Sequence, residues 1–261
     1  MVAMNFERFK FASRAMLWHL LVSLCVAALV SLVVFIFWYP APYASMVGGG
    51  LLFAILVGVD VVCGPLLTFV VFNPVKSRRE LVIDLGVIAI IQCAALGYGL
   101  QTMWHARPVY LAYELDRFYV ISPSTLEPQA WAGMPTDVPR PGWTGPHLLA
   151  TRVAKETDSD YADQLQLSLT GLPPVFRPDR WIPFQQSTTD LKARALPMVE
   201  LYALHPDNRT MIESAEQATG VAKENIRWLP VQVKDRLDWV VLLDIATPAV
   251  KGFLPLSGVK E

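Results

Sequence analysis

Apolar residues run almost unbroken through three stretches of the first hundred or so positions, and the pattern then stops. Residues 15–39 hold no acid, Lys or Arg. Residues 47–72 hold one charged side chain, Asp60, and residues 81–104 hold one, Asp84. At about 1.5 Å per residue, each stretch is long enough to cross the roughly 30 Å of bilayer hydrocarbon as a helix. A cleaved signal peptide is the rival reading of the first stretch. A signal's apolar core is shorter and is followed by small residues, whereas this stretch ends in Phe35, Phe37, Trp38, Tyr39 and the helix-stopping Pro40. The pattern therefore predicts a three-helix transmembrane anchor in residues 1–104, with helices at about 15–39, 47–72 and 81–104.

Basic residues orient the anchor. Arg8, Lys10 and Arg14 precede the first helix, and Lys76, Arg78 and Arg79 lie between the second and third. The link between the first two helices carries no charge. The positive-inside rule then puts the N-terminus in the cytoplasm and everything after the third helix outside it, which in a Gram-negative-type cell is the periplasm. Ser77, Arg78, Arg79 and Glu80 have capping-box form directly before an apolar run, so the third helix starts there.

The polar residues left inside the helices form a pattern of their own. The link between helices two and three is short, so the two form an antiparallel hairpin centred near Lys76. Asp60 then lies at the depth of Gln92, and Thr68 at the depth of Asp84. Asp60, Gly64 and Thr68 are spaced i, i+4, i+8, as are Asp84, Ile88 and Gln92, so each set shares roughly one helix face. Asp60 is about 18 Å deep, where an acid costs about 2.5–3.5 kcal/mol on insertion scales and must face protein. Gln92 is its expected partner. Asp84, about one turn inside, is expected to reach interfacial water or to pair with His19 of the first helix. Gly64 and Pro65 predict a kink. Three readings of Asp60 are open: glue within the hairpin, a contact for another membrane helix, or a step in ion or proton transport.

From residue 105 the chain reads as an ordinary exported domain, residues 105–261. Residues 108–122 predict a long strand or a hairpin, and proline-rich 123–146 predicts a surface loop. Helices are expected near 158–169, 187–195, 198–203 and 208–218, and strands at 147–153, 226–233, 238–244 and 250–254. The fold class is α+β, with a mainly antiparallel sheet and a helical insertion.

Composition changes little in this picture. The chain of 261 residues is 53% hydrophobic and 17% charged with net charge −1, and its mean hydropathy is +0.37. There is no basic stripe for nucleic acid. Cys25, Cys63 and Cys93 all sit in the apolar stretches without metal-ligand spacing, so no metal, no cofactor and no disulfide of the exported domain is expected. No nucleophile, zinc or phosphate-loop motif occurs, and His105, His147 and His205 are scattered. Asp116 with Arg117, and Asp235 with Arg236, read as turn pairs. The expectation is a protein that is not an enzyme.

Several segments together resemble the TfpX/TfpZ-type type IV pilin accessory proteins. They are Asp60 with Gly64, Pro65, Leu66, Leu67 and Thr68 (D-x-x-x-G-P-L-L-T), and Lys76 with Leu81, Asp84 and Leu85 (K-x-x-x-x-L-x-x-D-L). Arg107, Pro108, Val109 and Tyr110, and a tail with Trp228, Leu229, Pro230, Asp238 and Trp239, complete the set. The resemblance runs nearly end to end. It implies an inner-membrane protein surrounded by lipid that helps a type IV pilin, and other pilus assembly proteins with it, into pili. It carries over no site residues. Asp60, Gly64, Thr68, Asp84, Gln92 and His19 are the candidate intramembrane contact residues, on the bottom-up reading alone. A membrane-anchored periplasmic enzyme acting on pilin or envelope material is the alternative.

Overall fold

In a computed structural model of the chain, which describes residues 2–259, the apolar stretches are helices and the chain divides into two compact units, residues 1–107 and 108–261. Three helices are long and apolar enough to cross a membrane: Glu7–Trp38, Gly49–Val71 and Arg78–Ala106.

The first span is α1 (Val2–Val33), which runs on through a wide π turn, Val34–Trp38. It begins earlier than the apolar run, so Arg8, Lys10 and Arg14 ride on its first turns. The short α2 (Tyr43–Met46) follows. Tyr39 is fully buried there, and its hydroxyl donates to the Met103 carbonyl at 2.7 Å. A Cβ at Gly49 would stand 2.6 Å from the Tyr39 ring, so only glycine lets the second span start this close.

The second span is composite: α3 (Gly49–Gly58), a π turn at Val59–Cys63, and α4 (Gly64–Val71). The kink expected at Gly64 and Pro65 is thus a change of helical register. The third span, α5 (Arg78–Ala106), opens with the expected capping box. The Ser77 side chain accepts from the Glu80 N–H at 3.3 Å, and the Ser77 N–H donates to Glu80 Oε2 at 2.9 Å. Large apolar side chains point away from the unit on all three spans: Leu29, Leu51 and Ile90 are 66%, 70% and 70% exposed, as a lipid-facing surface requires.

The C-terminal unit is built on one sheet. The hairpin of β1 (Tyr110–Glu114) and β2 (Arg117–Ile121) turns at Leu115, which takes a positive φ of 55°. Then come β3 (His147–Thr151), α6 (Tyr161–Leu169) and β4 (Trp181–Pro183), followed by α7 (Thr188–Arg194), β5 (Leu196–Pro197), α8 (Met198–Leu204) and α9 (Arg209–Ala218). Three strands close the chain: β6 (Ile226–Val233), β7 (Arg236–Asp244) and β8 (Ala249–Leu254). The strand order is β4-β3-β1-β2-β6-β7-β8, with β5 also on β6.

The sheet is mixed, which corrects the mainly antiparallel expectation. β1 with β3 and β2 with β6 are parallel pairs. Hairpin-length connections force antiparallel neighbours, but the long connections 115–146 between β1 and β3 and 122–225 between β2 and β6 let the chain return in the same direction. The proline-rich 123–146 segment is also more than a surface loop. Its Leu126, Met134 and Val138 are buried in a core with Tyr110, Leu149, Val175 and Trp181. A second core gathers Met198, Leu201 and Ile212 of the helices against Trp228, Val240 and Leu242 of the sheet.

Candidate functional site

The polar residues of the membrane unit converge from all three spans. His19 of α1 stands between Thr68 of α4 and Gln92 of α5: its Nδ1 is 2.6 Å from Thr68 Oγ1 and its Nε2 is 2.8 Å from Gln92 Oε1. The Gln92 amide nitrogen donates to the Asp60 backbone carbonyl at 3.1 Å. Proton positions follow from chemistry. The Asp60 carbonyl can only accept, so Gln92 Nε2 must face it. Gln92 Oε1 then faces His19, so His19 Nε2 carries a proton. His19 Nδ1 and the Thr68 hydroxyl share the remaining bond, so Thr68, His19, Gln92 and the Asp60 carbonyl form one continuous chain.

The helical register explains why a side chain must serve that carbonyl. In the π register of Val59–Cys63, a carbonyl at residue 60 looks five residues ahead for its donor. That residue is Pro65, which has no N–H. Gln92 supplies the missing donor. Gly64 makes room for it, because any Cβ at Gly64 would overlap the Gln92 amide. Thr68 is buried to 2% exposure on the same face.

The expected pairing of Gln92 with Asp60 is present, made through the Asp60 backbone carbonyl and not its carboxyl. His19 joins Thr68 and Gln92, and Asp84 does not belong to this set. Asp84 instead takes an ion pair from Lys76 at 2.7 Å, and Lys76 also donates to the Val71 carbonyl at 3.2 Å. Lys76 thus caps the end of α4 and closes the hairpin link. The sequence could have signalled the Lys76–Asp84 pair, eight residues apart across a cap. It gave no sign that His19 would cross to Gln92.

Asp60 itself is left over. It stands midway along Gly49–Val71, and its Oδ1 is buried with no hydrogen-bond partner. It lines a cleft of about 180 Å³ whose walls are His19, Ser23, Val26 and Ala27 of α1, and Ala89, Gln92 and Cys93 of α5. Cys25, Cys63 and Cys93 are free thiols. No group of His, Cys, Asp or Glu suited to a metal ion occurs among the described residues.

The C-terminal unit has a larger, charged cleft of about 840 Å³ beside β3 and α7, lined among others by Tyr113, Arg152, Lys155, Asp158, Asp190 and Arg194. Asp158 pairs with Arg152 at 3.5 Å, Asp190 pairs with Arg194 at 2.8 Å, and the Tyr113 hydroxyl donates to Asp190 at 2.8 Å. Of the two expected turn pairs, Asp116 with Arg117 is an ion pair at 2.9 Å, and the guanidinium holds the Asp116 carboxyl below its ordinary range, whereas Arg236 pairs with Asp238 at 3.3 Å.

Three apolar spans joined by an internal polar relay, followed by a mixed-sheet unit, define a membrane-anchored protein whose candidate site lies among its helices. The chain has relatives over nearly its whole length. It is 33% identical over 246 residues to "Fimbrial assembly protein, serogroup I" of Dichelobacter nodosus, covering 92% of this chain and 94% of that one. The serogroup E1 protein of the same organism is 32% identical over the same shares. The protein of serogroups C1 and C2 is 44% identical over 119 residues, 46% of this chain and 91% of that one. The family model "Fimbrial assembly protein FimB" matches residues 7–48. This chain belongs to the fimbrial assembly protein family. No solved structure matches it.

Proposed function

We propose that this protein is an inner-membrane accessory factor for type IV pili that assists pilin stability or assembly by binding pilin, without catalysis. The family's name supplies the setting, and the TfpX/TfpZ resemblance of the sequence supplies the type of pilus. The observation that carries the binding role is the acid at mid-span: Asp60 keeps a buried carboxyl oxygen unpartnered beside a relay that is otherwise complete. An unsatisfied carboxyl at that depth costs stability unless something arrives to meet it. The basic residues orient the N-terminus to the cytoplasm and the C-terminal unit to the periplasm, so the helices meet the pilin's membrane segment and the C-terminal unit meets its head.

Co-purification tests this. Pilin should be recovered with the tagged full-length protein, and recovery and piliation should fall with Asp60→Leu at unchanged protein level. Absence of pilin from the wild-type preparation would end the proposal. A second reading, an anchored enzyme acting on pilin or envelope material, has the charged cleft of the C-terminal unit in its favour. Against it, Asp158 and Asp190 are already ion-paired, and neither His nor Cys lines that cleft among the described residues. Preserved piliation with an Asp190→Ala, Arg194→Ala protein is the result expected if the cleft does no chemistry.

A further inference from the structure

We propose that the cleft between α1 and α5 is the seat for one side chain of a second membrane helix, and that this side chain is a hydrogen-bond donor to the Asp60 carboxyl. The inference rests on the reading above that the protein works by binding a membrane-embedded partner, and it names where and with what chemistry.

The cleft follows from how the spans pack. α1 and α5 each lie against the middle span, and His19 with Gln92 ties them together at one level. Between that tie and the contact of Trp38 with Trp104 at the far end lies a groove with α1 residues at helical spacing on one wall, α5 residues on the other, and Val57 and Asp60 between them. The wall residues include Ser23, Ala27, Ala89 and Cys93, small enough to let another helix come close. The volume of about 180 Å³ holds a side chain or two, not a helix, so the partner helix lies along the mouth and inserts one residue.

The chemistry of that residue is set by what is missing. The Thr68 hydroxyl is bonded with His19 Nδ1, His19 Nε2 goes to Gln92, and Gln92 Nε2 goes to the Asp60 carbonyl. None of them reaches the Asp60 carboxyl, which lines the cleft and whose Oδ1 is closed off and unpartnered. A hydroxyl, amide or ammonium on the incoming helix completes it once the carboxyl turns toward the cleft. A lipid chain would fill the space but brings no donor to mid-span, where Asp60 stands.

The test is photo-crosslinking of the full chain in its native membranes, with a photoreactive residue at Val26 or Ala89 in the cleft, or at Leu29 or Ile90 on outer faces. Cleft positions should crosslink one protein through a membrane-helix peptide that contains a donor side chain, about tenfold more than outer positions. Asp60→Asn, whose side-chain carbonyl still accepts, should keep the crosslink, and Asp60→Leu should lose it. Should Asp60→Leu protein fail to accumulate, Ala89→Trp fills the cleft while leaving Asp60 in place and should abolish crosslinking from Val26. Adducts with lipid only, with a second copy of this chain, or with a helix lacking a donor overturn the inference. Pilin that still co-purifies while the cleft stays silent overturns the cleft and leaves the pilin reading standing. A donor-bearing helix from a protein other than pilin supports the cleft and overturns the pilin reading.

Discussion

In the membrane unit the apolar side chains point outward and a few polar ones meet inside; in the C-terminal unit the apolar side chains are inside and charge lies at the rim. His19, Thr68 and Gln92 hold three helices through hydrogen bonds, while Tyr110, Trp181 and Leu149 hold strands and loops through burial. The reason is the surroundings. Between membrane helices there is no hydrophobic drive, so close packing and hydrogen bonds decide which faces meet. In water, removal of apolar surface decides it. The same kind of substitution should therefore weigh differently in the two units.

The largest effect is expected in the C-terminal core. Trp181 is fully buried, and its Nε1–H donates to the Val175 carbonyl at 3.0 Å. Trp181→Ala should cost about 3–5 kcal/mol. Thermal melts of the full chain should show the C-terminal transition lowered while the helical signal of the anchor persists. Loss of both together would break the comparison.

Next comes steric loss in the anchor. Gly64→Val places a side chain where the Gln92 amide lies, and should cost about 1–3 kcal/mol by overpacking. Denaturation in bicelles, followed by a label pair on α4 and α5, reads it. A neutral result would mean that Gln92 can leave without consequence.

Smaller still is the relay. A His19→Leu, Gln92→Leu double-mutant cycle should give a coupling of about 0.6 kcal/mol, with about 1.7 as a ceiling. A coupling of zero would mean that the contact in the anchor is incidental.

The smallest effect sharpens the other side. Glu114 is buried at 5% exposure and accepts from Thr151 Oγ1 at 2.9 Å. Burial pushes its carboxyl above the ordinary range, and the Thr151 hydroxyl only partly offsets this. A value raised in the folded state means that the native form binds the proton more readily. Stability is then fullest in acid and falls as pH rises through the raised value. Glu114→Gln should remove that slope and melt higher than the wild type at neutral pH. Melts between about pH 4 and pH 7 check it.

The residues themselves were legible to different degrees. The Ser77–Glu80 capping box, the break near Gly64 and Pro65, and the hairpin with its turn at Leu115 and Asp116 all rest on interactions within a few positions, and the structure has each of them. The parallel pairing of β2 with β6, and of β1 with β3, was not legible, because periodicity shows which residues face inward but not which strand lies beside which. The role of the Asp60 backbone in the anchor was not legible either. The spacing of Asp60, Gly64 and Thr68 assumed one continuous α-helix, and the π turn at Val59–Cys63 leaves the Asp60 carbonyl to Gln92.

Hydropathy, charge and capping thus determined three spans, the bounds of the second and third to within a few residues, and that an acid lies at the middle of one. Those properties are local or additive along the chain, so a linear reading recovers them. Only the tertiary structure decided that Gln92 serves the backbone of Asp60, that His19 crosses from the first span to complete the relay, and that the carboxyl of Asp60 is left lining a cleft. Each depends on side chains dozens of residues apart meeting within a few ångströms, and on a change in helical register that leaves the Asp60 carbonyl to Gln92.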